Sequence, residues 1–142
     1  MFVDNETIRV TKDGVWLSNG EPITHARTLE AYNRHLGRDD EGYFIEIGNN
    51  FKRIEVEDTP YFVRLAWRDP SGSLHGMLTN GAEILIDPSH LRLKGQRLTL
   101  PILNEKEEAK FLPQAYHWIL MNLNEGDLAK LGGHNANSDS AT

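Results

Sequence analysis

Short apolar runs separated by glycine turns restrict this chain more than any other feature. Asp13-Gly14, Asn19-Gly20, Asn80-Gly81 and Lys94-Gly95 each divide two runs rich in apolar or β-branched residues. Asp-Gly and Asn-Gly accept the positive φ that a two-residue hairpin turn demands, so each predicts antiparallel strands on either side. Pro70-Ser71-Gly72 predicts another turn, between runs at 61–68 and 74–78. Within the runs, residues alternate with period two. Ile54 and Val56 oppose Arg53, Glu55 and Glu57; Val63, Leu65 and Trp67 oppose Arg64 and Arg68; Leu91 and Leu93 oppose Arg92 and Lys94. Such alternation describes a half-buried antiparallel sheet, because a parallel sheet covered on both faces reads as continuous apolar runs.

Two segments change to helical period. After Thr24, the expected N-cap, Ala26, Leu29, Tyr32 and Leu36 share one face, with Gly37 placed to end the helix. A second helix is expected from Leu112 to Asn124, with Pro113 in its first turn, where a missing N–H costs nothing. The acidic stretch 105–108 before it reads either as a short turn or as negative charge favouring that helix N-terminus. Residues 126–142 offer little to bury and are expected to be a disordered tail. A hairpin at 16–23 leads into the first helix, and another at 91–98 leads toward the second. This weak echo suggests two mutually packed sheet-plus-helix halves, 1–59 and 60–125, in an α+β fold.

Composition removes several function classes. The 142 residues contain no Cys, which excludes disulfides, a Cys nucleophile, thiolate zinc and iron–sulfur sites. A pI near 5.5 opposes broad binding to duplex nucleic acid, which needs Lys and Arg to displace counterions. Mean hydropathy is −0.51, no apolar run is long enough to span a membrane, and no basic-then-apolar leader opens the chain. A cytoplasmic protein without membrane partner is the expectation. No Gly-x-Ser-x-Gly elbow, P-loop or Gly-x-Gly-x-x-Gly occurs. The His residues at 25, 35, 75, 90, 117 and 134 include no pair at the spacing that lets two imidazoles meet one metal on a helix. No cofactor or metal is expected.

Charge is uneven. Residues 38–58 hold seven acids and three bases, a net −4, whereas 64–97 hold five bases and three acids, a net +2. The acids can serve as acid/base groups or as oxygen ligands for a cation, although alternation already explains several as a wet strand face. Arg64 and Arg68, near Phe62, can grip a phosphate and stack on a base, or can be ordinary exposed arginines.

Several motifs then occur in a telling order. They are Asp13-Gly14-x-Trp16, Gly20-x-Pro22-Ile23, Arg38-Asp39-Asp40-x-Gly42-Tyr43, and Arg53-Ile54-x-Val56-Glu57-Asp58-x-Pro60-x-Phe62, followed by Thr79-Asn80. Together they resemble a bacterial family of uncharacterised proteins, the domain of unknown function 1285 (DUF1285) family. The likeness runs from about Ile8 to Leu123, and the chain departs from it at 48–51, where Gly-Asn-Asn-Phe replaces an expected Thr-Pro turn. The resemblance implies a repeated motif, a pleckstrin-homology-like C-terminal half, and a ligand site between the halves. It further implies a nucleotide-like ligand and a signalling role, with Arg38, Asp39, Tyr43, Arg53, Glu57, Asp58, Thr79 and Asn80 at the matching positions. The same charged residues can equally be an ion-pair network. Three functions are therefore weighed: a non-enzymatic ligand-binding module, a cation-dependent hydrolase of a phosphorylated ligand using Asp39, Asp40, Glu57 or Asp58, and a protein–protein adaptor.

Overall fold

A computed structural model describes residues 5–129. The fold is α+β, in two compact units that divide between Pro60 and Tyr61. In the first unit β1 (Ile8–Val10), β2 (Trp16–Ser18) and β3 (Glu21–Pro22) form a meander through the two expected turns. Gly14 and Gly20 take φ of 85° and 84° there, a region open to glycine at no steric cost. β7 (Glu55–Val56) then joins β1 in parallel, with Arg9 opposite Glu55 and Val10 opposite Val56. A wholly antiparallel sheet was expected. Hairpins can only make antiparallel neighbours, whereas β7 returns to β1 after a helix and a second sheet, and such crossovers permit parallel pairing.

Helix α1 (Ala26–Arg34) is capped by His25, whose Nδ1 accepts the Thr28 N–H at 3.3 Å, not by Thr24. It also ends before Leu36. Leu36 and Gly37 open β4 (Leu36–Asp39), because β5 (Gly42–Ile47) captures their backbone in an antiparallel ladder that β6 (Asn50–Arg53) completes. Ile8, Val10, Trp16, Tyr32, Ile45 and Ile54 form the buried set of this unit, with the Trp16 and Tyr32 rings 5.7 Å apart.

The second unit is one six-stranded sheet in the order β10-β9-β8-β13-β12-β11. Its strands are β8 (Tyr61–Arg68), β9 (Leu74–Leu78), β10 (Glu83–Ile86), β11 (Arg92–Lys94), β12 (Arg97–Ile102) and β13 (Glu107–Phe111). The β8–β13 pair is parallel, so this sheet too is mixed. Helix α2 (Pro113–Asn122) packs on β8 and β13 and buries Ala115 and Ile119 completely. The acidic stretch before it is a tight turn: Leu103, Asn104 and Glu105 all have positive φ, and Glu107 and Glu108 belong to β13.

Two corrections concern this unit. A bulge between Val63 and Leu65 shifts the β8–β9 register, so Val63 pairs with Leu78 while Leu65 and Trp67 pair with Met77 and His75. Val63 is therefore on the buried side and Leu65 and Trp67 are on the other, against the single-face expectation. A tail was expected from residue 126, yet residues 125–129 are helical. Asn124 Oδ1 accepts the Asp127 N–H at 2.8 Å and Asp127 Oδ2 accepts the Asn124 N–H at 3.1 Å, a reciprocal N-terminal cap. Asp127 also pairs with Arg68 at 3.1 Å. Residues 130–142 of the expected tail lie outside the described residues.

Candidate functional site

Four of the eight expected site residues meet on β4, β5 and β6. Arg38 opposes Tyr43, Asp39 opposes Gly42, and Gly37, Phe44 and Arg53 form one cross-strand row. Period-two alternation then separates them into two faces. Asp39 and Arg53 share one face with Gly37, Phe44, Glu46 and Phe51; Arg38 and Tyr43 share the other with Leu36, Ile45, Ile47, Asn50 and Lys52.

On the first face, Arg53 is held on every side. Its Nη1 and Nη2 donate to Asp39 at 2.8 and 3.1 Å, Nη1 also to the Gly42 carbonyl at 3.1 Å, and Nη2 to Glu41 at 3.4 Å. Its guanidinium lies 5.1 Å from the Phe51 centroid and 5.6 Å from that of Phe44, and those two rings stack at 5.0 Å. Gly37 makes room for this arrangement. A Cβ there would stand 2.5 Å from Phe44 Cζ, so the absence of a side chain lets the ring lie across the strand. The Arg53 guanidinium, more than any other contact, holds the Asp39 carboxyl below the usual carboxylate range, and Asp39 in turn raises Arg53. An acid kept ionised in this way cannot donate a proton near neutrality, which disfavours Asp39 as a general acid.

On the second face, the Arg38 guanidinium lies 5.1 Å from the Tyr43 centroid, and Arg38 is exposed. Glu57 is elsewhere, beyond β7. It pairs with Arg9 at 3.6 Å and accepts the Lys12 N–H at 3.0 Å, while its own N–H donates to Val10 at 2.9 Å. Asp58 follows it. Thr79 and Asn80 belong to the second unit, in the β9–β10 turn, where the Thr79 N–H donates to Phe62 and Asn80 Oδ1 accepts the Ala82 N–H.

One cluster was not expected from the sequence. In the β8–β9 turn Asp69 Oδ1 accepts from the Ser71 hydroxyl (2.6 Å) and the Ser71 and Ser73 N–H groups, and Oδ2 from His75 Nε2 at 2.7 Å. His75 stacks on Trp67 with centroids 5.6 Å apart, and its Nδ1 lies 3.6 Å from Glu83. Ser71 foremost, then His75 and the Ser73 N–H, hold the Asp69 carboxyl far below its ordinary range. Ser, His and Asp are together, but the hydroxyl donates to the carboxylate, not to the imidazole. The group locks a turn and makes no nucleophile–base pair. Asp-Pro-Ser-Gly-Ser was the available signal, since Asp at the start of a turn bonds backbone N–H groups two residues on.

Among the described residues, no three His, Asp or Glu side chains gather as a metal site. No helix there is long and apolar enough to cross a membrane.

Comparison with known proteins adds the fold relationship. The chain matches a solved DUF1285 family protein of Shewanella baltica OS155 with a TM-score of 0.64 at 20% identity, covering 89% of this chain and 99% of that one. The chain has the DUF1285 fold. A second match is the DUF1285 family protein of Silicibacter pomeroyi DSS-3, with a TM-score of 0.63 at 14% identity over 83% of this chain and 70% of that one. No family model and no curated protein matches the sequence. The family resemblance read from the motifs and the DUF1285 fold of the two structures agree.

Proposed function

We propose that this chain is a non-enzymatic module that binds a nucleotide-like ligand in a signalling role, through Arg38 and Tyr43 at the turn end of β4 and β5, beyond the buried Ile45 on the same face. The distribution of charge on that sheet carries the reading. Arg38, Tyr43 and Lys52 fall on one face whose strand residues include no carboxylate, while Asp39 and Glu46 fall on the other. Arginine and lysine can grip a phosphate, and an aromatic ring offers a base a π surface to stack on. Arg53 serves here as a brace, because its donors are engaged by Asp39, Glu41 and the Gly42 carbonyl.

Thermal-shift measurements with nucleoside monophosphates and triphosphates test this. A ligand that binds only the folded state raises the apparent melting temperature. Stabilisation without added metal, with affinity falling about tenfold or more in Arg38→Ala, is the expected result, on the scale of a charge-assisted hydrogen bond. Stabilisation that requires magnesium and vanishes in Asp39→Asn would instead favour a cation-dependent hydrolase. No response to any nucleotide would overturn the reading.

A further inference from the structure

The opposite face of the same sheet has its own chemistry, which a nucleotide does not use. Phe51 stands 49% exposed on it, stacked on Phe44, and the exposed Glu46 lies directly across from Phe51 in the β5–β6 register. Asp39 and Glu46 on the strands and Glu41 in the adjoining turn give three carboxylates against one guanidinium, that of Arg53. A nucleic-acid strand would stack on Phe51 only by bringing its phosphates against those acids. A cation would gain from both features at once, the ring quadrupole and the negative field.

Arg53 shows which cation suits the face. It is a tethered guanidinium stacked on phenyl rings and paired in its plane with carboxylates. The planar guanidinium satisfies both requirements together, where an ammonium meets them only as a point charge. Arg53 uses Asp39 fully and touches Glu41 only through Oε2 at 3.4 Å, leaving Glu41 81% exposed and Glu46 exposed beside Phe51.

We propose that this face docks an arginine-bearing basic segment of a partner protein, with the incoming guanidinium on Phe51 and its charge met by Glu46 and Glu41. The proposal is independent of the nucleotide reading, since its residues lie on the other side of the sheet from Arg38. It is tested by titrating the full chain with a fluorescently labelled, end-capped peptide of alternating Arg and Gly, and with its Lys counterpart, by anisotropy. The Arg peptide should bind more tightly than the Lys peptide, and binding should weaken as salt is raised. Phe51→Ala should weaken it about two- to fivefold, the value of an exposed cation–π contact. Glu46→Gln removes only surface charge, so the fold is kept, and should weaken it by a similar factor. Arg38→Ala should leave it unchanged. Absence of Arg-peptide binding, or binding indifferent to both Phe51→Ala and Glu46→Gln, would overturn the proposal. So would an oligothymidine bound through Phe51, or self-association of the chain abolished by Phe51→Ala, which would assign the face to single-stranded nucleic acid or to a second copy.

Discussion

Gly37 shows how much one residue can decide. Read along the sequence it is a helix terminator, yet it occupies a strand with the Phe44 ring lying over the place of its missing side chain. Gly37→Ala should therefore displace Phe44 from its stack with Phe51 and lower stability by about 1 kcal/mol, the low end for overpacking because a ring edge can swing aside. Chemical denaturation measures the loss. Loss of the Phe44–Phe51 contacts in NMR spectra would tie it to the ring, and an unchanged stability would show that the ring does not hold the row. Arg53 was legible as a charged residue alternating with Glu55 and Glu57 and able to pair with nearby carboxylates. Its place over two phenyl rings was not, because Phe44 and Phe51 come from different strands and only their pairing brings them under the guanidinium.

At the scale of elements, the β8–β9 turn depends on the ionised form of Asp69. A carboxyl whose folded pKa is depressed adds stability above its unfolded pKa, and loses that contribution as pH falls toward the folded value. The unfolded value is about 3.9, so wild-type stability should hold at neutral pH and decline below about pH 4. Asp69→Asn keeps an oxygen for the Ser71 and Ser73 N–H groups but removes the charge facing His75. The variant should be less stable at neutral pH, with a flatter acid limb in denaturation curves collected across pH. A parallel pair of curves would reject the role given to this charge. The hairpins around Gly14, Gly20, Gly81 and Gly95 were readable because turn chemistry is local. The bulge at 63–65 was not. One extra residue in a strand leaves the amino-acid pattern unaltered and reverses which side chains face inward.

For the whole molecule, each unit carries its own buried set and its own tryptophans: Trp16 in the first, Trp67 and Trp118 in the second. Ile45 and Ile119 are both fully buried. Ile45→Ala should destabilise the first unit, and Ile119→Ala the second, by about 2–5 kcal/mol each, through lost burial and a residual cavity. Fluorescence unfolding of single-Trp variants assigns each loss to its unit. A loss below about 1 kcal/mol would mean that the site collapses around the smaller side chain. Part of the uneven charge is sorted locally, since of the seven acids in 38–58 the three-stranded sheet places Asp39 and Glu46 on the face opposite Arg38 and Lys52.

The sequence by itself determined the α+β class, the hairpins, the two main helices and the residues that resemble a DUF1285 motif. These rest on turn chemistry, short-range periodicity and residue identity, all of which are local. Tertiary structure decided the parallel β1–β7 and β8–β13 pairs, the ring platform under Arg53, and the separation of Arg38 and Tyr43 from Asp39 and Arg53. Each depends on which strand neighbours which and in what register, and that is set by long-range burial and backbone pairing that no local pattern encodes.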